Sequence, residues 1–243
     1  MVSLNYQLST AMVAGVLTLS ATTGAWAFTL NGTAGTWDAT TGGQYVQYGT
    51  INDETQVRWG LPYPSFDPNN FTAQSGLGFT GAGATTLTPG QTFQVGRLRH
   101  FNHPILGNTA ASAVDLAITL FLAEIGEQQF DFTLEIDETP NVAGACPYFS
   151  VVPCSDKISW THTFSGTQFG LGGTDYTLKL IGFSNTPDGP IVTDFISQEG
   201  GASEVYFYGQ IEEVPEPATL AGIALSIGGL GWMKRRRQKS TTP

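Results

Sequence analysis

This sequence is short of cationic residues and of cysteine. Ten Lys and Arg stand against twenty Asp and Glu in 243 residues. Five of the ten are packed into one cluster near the C-terminus. Residues 28–216 therefore hold only Arg58, Arg97, Arg99, Lys157 and Lys179 against all twenty acids, a net charge of −15. A surface of that sign repels nucleic acid and anionic lipid, which argues against both as partners. It favours solubility outside a cell and attracts divalent cations. Catalytic signatures are missing as well: no G-x-S-x-G, H-E-x-x-H or phosphate-binding P-loop occurs. No convincing amphipathic helical pattern is found between residues 28 and 213. The two cysteines, Cys146 and Cys154, lie in Cys-Pro-Tyr-Phe-Ser-Val-Val-Pro-Cys. A zinc site there would need two further ligands, and the spacing matches no common zinc pattern. One disulfide closing a short Pro-flanked loop is the expectation.

Long apolar runs are confined to the two ends. Val214-Pro215-Glu216-Pro217 leads into an apolar segment, Ala218 to Met233, which stops at Lys234-Arg235-Arg236-Arg237-Gln238-Lys239. As a transmembrane helix, residues 218–233 span about 24 Å at ~1.5 Å per residue, slightly short of the ~20 residues that normally cross a bilayer. Trp232 at the interface and the stems of Lys234, Arg235, Arg236, Arg237 and Lys239 make up the difference. The basic cluster stays cytoplasmic by the positive-inside rule, which places the rest of the chain outside. In their order, Pro215-Glu216-Pro217, the glycine-rich span and the basic stop resemble the bacterial PEP-CTERM sorting signal. That resemblance implies processing by an exosortase, a membrane-embedded cysteine protease. No Leu-Pro-x-Thr-Gly of the sortase type is present, and a GPI signal would not end in a basic cluster. At the other end, Ala11 to Ser20 is a short apolar core, and Ala25-Trp26-Ala27 is an A-x-A cleavage site before Phe28. Residues 1–27 thus read as a signal peptide that takes the chain to the secretion translocon. No Lys or Arg precedes the core, so the N-terminal amine alone supplies positive charge.

Between the ends, residues 28–213 are long enough for one domain with a sizeable core. Period-two alternation recurs there. Val114, Leu116, Ile118, Leu120 and Leu122 form one such face; Phe130, Phe132, Leu134 and Ile136 form another, with Asp131, Thr133, Glu135 and Asp137 opposite. Glu124 to Gln128, with Gly126 inside, suits a hairpin. Further strands are expected at 44–51, 55–59, 92–101, 157–164, 176–183, 192–196 and 204–211. Many short strands with Gly, Pro and Asn turns predict an all-β domain, a β-sandwich of jelly-roll type.

The same region resembles the choice-of-anchor K domain. The likeness is carried by Arg58-Trp59-Gly60, Ser75-Gly76-Leu77-Gly78-Phe79-Thr80-Gly81 and the run from Phe93 to Ile105. Tyr176 to Phe183 and Tyr208-Gly209-Gln210-Ile211 extend it. It implies a surface protein with a variable anchor, of which PEP-CTERM is one, and brings no activity or catalytic residues with it.

Candidate chemistry is thin. Period two places His162 with Ile158, Trp160 and Phe164 on an inward face, as a hydrogen-bonded core histidine. His100 and His103, three apart on an extended chain, face opposite sides and need a turn to meet around a metal. Gly78 to Gly83 reads as a strand entering a flexible loop. Asp67-Pro68-Asn69-Asn70 and Asp137-Glu138 offer oxygen ligands for Ca²⁺ as a cofactor, although such turns commonly serve only as turns. Tyr45, Tyr48, Tyr206 and Tyr208 offer either stacking surfaces for sugars or ordinary cross-strand packing. The leading expectation is a non-catalytic cell-surface or exopolysaccharide-matrix protein, with exopolysaccharide as a candidate partner. A carbohydrate-binding module and a glycan-degrading enzyme with paired carboxylates are the alternatives.

Overall fold

The computed structural model describes residues 27–140, 146–148, 150 and 153–215. Ala25 of the signal segment lies outside the described residues. So do Glu216, Pro217, the helix expected at 218–233 and the cluster Lys234, Arg235, Arg236, Arg237 and Lys239. Among the described residues no helix is long and apolar enough to cross a membrane.

Alternation becomes strand almost throughout. The strands are β1 (Phe28–Gly42), β2 (Gln47–Ile51), β3 (Glu54–Trp59), β4 (Ser75–Gly81), β5 (Thr85–Leu87), β6 (Thr92–Asn102) and β7 (Ala111–Leu122). They continue as β8 (Gly126–Asp137), β9 (Asp156–Trp160), β10 (Phe169–Leu171), β11 (Thr174–Ser184), β12 (Phe195–Ser197) and β13 (Gly201–Glu213). All pairings are antiparallel. Six strands form one sheet in the order β12-β9-β8-β7-β1-β5, and seven form the other in the order β10-β11-β13-β6-β4-β3-β2. The domain is thus all-β, with two curled sheets arranged as in a β-sandwich.

The core fills the space between them. Val114, Leu116, Ile118, Leu120 and Leu122 of β7, with Phe130, Phe132, Leu134 and Ile136 of β8, are buried as the alternation requires. From the other sheet come Val57, Trp59, Leu77, Phe79, Leu98, Leu178 and Phe207. The β7–β8 hairpin closes where Leu122 pairs with Gly126, whose φ of +80° suits a residue without a Cβ.

One long strand is added, and two sequence expectations are corrected. The fifteen-residue β1 is absent from the alternation pattern because its register shifts between Leu30 and Gly32. The bulge moves the inward phase from Phe28 and Leu30 to Thr33 and Gly35, so no single period runs through the strand. As the first correction, β9 ends at Trp160, and the chain crosses to the other sheet, where Phe164 bridges Lys179. His162 and Phe164 are exposed as a result, and His162 is not a core histidine. As the second, Val192 belongs to an isolated bridge with Phe183 and is exposed, leaving only Phe195–Ser197 as strand β12.

One edge of the sandwich is laced shut by β1. Thr33 donates its N–H to Ala82 O at 3.0 Å and its hydroxyl to Val95 O at 2.5 Å. Trp37 Nε1 donates to Thr55 O at 2.9 Å, and the Thr55 hydroxyl donates to Gly35 O at 2.8 Å. Here Phe79 lies between glycines of both sheets: a Cβ on Gly35 would stand 2.4 Å from its Cδ1, and one on Gly96 2.5 Å from its Cζ.

Candidate metal centre

At one end of the sandwich the inward alternation continues past the apolar residues into polar ones. On β6, Leu98 is followed on the same face by His100 and Asn102. On β8, the series Phe132, Leu134, Ile136 runs on to Glu138, one residue beyond the strand. On β9, Asp156 precedes Ile158 on the inner face. The Cys146–Cys154 disulfide has formed, and its second half-cystine lies two residues before Asp156.

The three ionisable groups converge. One ligand atom each from His100, Glu138 and Asp156 lie within 4.8 Å of one another. His100 and Asp156 are 0 % exposed, and Glu138 is half-buried. Trp59 stacks on the imidazole, with centroids 6.5 Å apart, and donates from Nε1 to Glu138 Oε1 at 3.2 Å. Asp156 Oδ1 accepts from the Thr139 N–H at 2.7 Å and the Thr139 hydroxyl at 3.1 Å. Its Oδ2 makes no hydrogen bond within the protein, and neither does either ring nitrogen of His100. Asn102 donates to Ser197 O at 2.9 Å, while its own Oδ1 is likewise without a partner.

Burial dominates the electrostatics. It pushes the Glu138 carboxyl up to about 8, helped by the negative charges of Asp156 and Glu199 and opposed in part by the hydrogen bond from Trp59. Burial raises Asp156 as well, against the lowering effect of its hydrogen bonds from Thr139. His100 is driven down to about 3 by burial, then by His103 and Arg58, and stays neutral. A neutral imidazole beside two carboxyl groups is a set of metal-ligand types.

Outside Glu138 opens a cavity of about 460 Å³, walled by His103, Leu106, Asn108, Pro140 and Glu199 among others. His103 stands on that wall half-buried, its pKa lowered by burial and by Arg58. It does not join His100 among the three convergent groups.

The Ca²⁺ candidates fare differently. Asp137 and Glu138 point apart, Asp137 outward to accept from the Tyr148 hydroxyl and Glu138 inward. The Asp67 carboxylate is used within its own turn, accepting from Asn69 N–H at 3.0 Å. Tyr45 and Tyr48 are exposed at the β2 edge, whereas Tyr208 is buried with its hydroxyl on Pro187 O. Tyr206 lies on β13, four strand positions from β2 and about 19 Å away at ~4.8 Å per strand. The four tyrosines therefore form no common platform.

On the outer face of the seven-stranded sheet is a second buried polar assembly. Arg58, 2 % exposed, donates to Gln56 Oε1 at 2.8 and 3.1 Å and to Gln74 O at 3.0 Å. Its guanidinium lies 3.3 Å from the Phe101 ring centroid. To reach β6 it must cross β4, and it does so over Gly76, where a Cβ would stand 2.4 Å from Arg58 Cδ. Glu54 crosses at Gly78 in the same way and meets Arg99 Nε at 3.4 Å. The glycines of Ser75–Gly81 thus have a packing role within a regular central strand.

Residue spacing does not reveal the metal-type constellation, because its three groups come from strands far apart in the chain. The signal that finds it is the phase of three strands: His100, Glu138 and Asp156 all continue an inward, apolar series. Compared with known proteins, the chain matches no family model, and no curated protein matches it.

Proposed function

We propose that this chain is an exported, non-catalytic bacterial surface or exopolysaccharide-matrix protein, carried as a choice-of-anchor K-like sandwich and sorted by a PEP-CTERM-type tail. One observation carries the reading: the fold fits between the two targeting signals. Strand β1 starts at Phe28, immediately after Ala25-Trp26-Ala27, and β13 ends at Glu213, two residues before Pro215. Cleavage on either side would spare the core, which begins with the fully buried Phe28. The disulfide suits an oxidising compartment outside the cytoplasm. A jelly-roll type of sandwich is supported by the antiparallel pairing and by strands such as β4, β5, β6 and β7, which alternate between the sheets.

Glycoside hydrolysis is less well supported. Its two carboxyl groups must flank the scissile bond, whereas Asp156 is wholly buried behind Glu138. For sugar binding, Tyr206 and the buried Tyr208 lie four strand positions from the exposed Tyr45 and Tyr48, which counts against a stacking platform built from all four. Cells expressing the full chain with an epitope inserted after Ala27 test the proposal by fractionation. The epitope is expected in the envelope or extracellular fraction; a signal confined to the cytoplasm refutes export.

A further inference from the structure

We propose that His100, Glu138 and Asp156 together bind one divalent first-row transition ion of the Zn²⁺ class. The three donors lie on β6, just past β8 and at the start of β9, so both sheets contribute to the site. With ligand atoms within 4.8 Å of one another, an ion at their centre lies within about 2.8 Å of each. Small side-chain rotations close that to the bond lengths of about 2.0–2.2 Å that zinc makes with imidazole and carboxylate.

His100 is the decisive group. It is wholly buried, and neither nitrogen makes a hydrogen bond within the protein. Buried polar groups are ordinarily paired, because leaving them bare forfeits their hydration. No rearrangement of protons between the two carboxyl groups gives the His100 nitrogens a partner; both stand without one. A cation engages all three groups at once, and two carboxylates balance its charge. Thr139 fixes Asp156 through Oδ1, which leaves Oδ2 open, as a supporting residue does for a metal ligand. The cavity beside Glu138 supplies an entry path.

The donor set selects the ion class. Ca²⁺ and Mg²⁺ take oxygen ligands, so an imidazole at the centre disfavours them. Both cysteines are committed to the disulfide, which removes thiolate and with it the softest metals. One imidazole with two carboxylates suits Zn²⁺ and its first-row neighbours.

The test uses the full chain, purified in detergent without a histidine tag and stripped with EDTA. Titration with ZnCl₂ alone is expected to saturate at one ion per chain. At a hundredfold excess over Kd the thermal midpoint should rise by about 5–10 °C, and CaCl₂ should leave it unchanged. Glu138→Gln and Asp156→Asn should each weaken binding at least tenfold, with His162→Gln, an exposed histidine, as the unaffected control. Should neither ligand variant fold, Co²⁺ loading of the foldable chain decides. A paramagnetically shifted imidazole proton must persist in His162→Gln. Absence of one-to-one Zn²⁺ binding, equal responses to Ca²⁺ and Zn²⁺, wild-type affinity in the folded ligand variants, or loss of the shifted proton in His162→Gln would each overturn the site. None of these outcomes bears on export, which the fractionation reads separately.

Discussion

Adding one methyl group at Gly35 should unfold this domain more readily than most core truncations of similar size. Gly35 belongs to β1 and faces Phe79 of β4 in the other sheet. A Cβ there would lie 2.4 Å from Phe79 Cδ1, about 1 Å inside ordinary contact. Phe79, 1 % exposed, cannot move away, because Gly96 bounds the ring at Cζ and Cε2 and the Thr33, Trp37 and Thr55 hydrogen bonds fix the spacing of β1. Overpacking of this kind costs ~1–3 kcal/mol, and a ring bounded on both edges belongs near the top of that range. At 2–4 °C per kcal/mol for a domain of this size, Gly35→Ala should lower the thermal midpoint by about 6–12 °C. Phe79→Leu alone should cost about 1.5 kcal/mol, since part of the transfer energy is lost and part of the volume kept. The double variant should be less destabilised than the two singles predict, with a favourable coupling of about 1.5–2 kcal/mol. Urea denaturation followed by tryptophan fluorescence supplies the four stabilities. Additivity within about 0.5 kcal/mol would refute the slot.

Three further outcomes follow from particular contacts. Arg58→Met should lose about 3 kcal/mol in the same assay, because it strips a charged donor from buried Gln56 Oε1 and Gln74 O; Arg58→Lys should recover only part, lacking the planar fork. Replacing both Cys146 and Cys154 with Ser should cost about 2.5 kcal/mol for so short a loop and leave the circular dichroism of the sheets intact, while thiol titration of the unreduced wild-type chain should find no free thiol. Burial alone would raise the Glu204 pKa, but the hydrogen bonds it accepts from Arg99 and Arg97, together with their charges, outweigh it, so its folded value falls below the unfolded one. Its contribution is then present above the unfolded pKa and is lost as pH falls through the folded one. For so exposed a pair this is under about 1 kcal/mol, read as the difference between wild type and Glu204→Gln from pH 6 to pH 3.

Within the targeting proposal, Glu216→Ala should leave the full-length precursor in the membrane of cells that possess an exosortase. Intact mass decides: a tail still attached to the wild-type protein would end the processing claim.

Much of the fold is legible in the sequence because a strand buried on one face writes its orientation every second residue. Val114 to Leu122 and Phe130 to Ile136 are read that way, and the hairpin between them with Gly126 at its turn. The same local rule fails where the backbone breaks phase. Strand β1 changes its inward set at the Leu30–Gly32 bulge, and β9 stops at Trp160, so His162 lies outside a pattern that alternation extends to it. Local spacing pairs Cys146 with Cys154 and rightly sets His100 and His103 on opposite sides, but a statement about a few consecutive residues cannot name the distant groups that His100 meets.

The sequence by itself determined the composition of the surface, the short disulfide loop, the all-β class and which face of most strands turns inward. Each follows from interactions along a handful of neighbouring residues. Only the tertiary structure decided that Gly76 lets Arg58 cross to Phe101, and that Phe79 fills a slot between two sheets. It alone decided that His100 meets Glu138 and Asp156 rather than His103. Those meetings depend on register and on the packing of strands far apart in the chain, which no local period records.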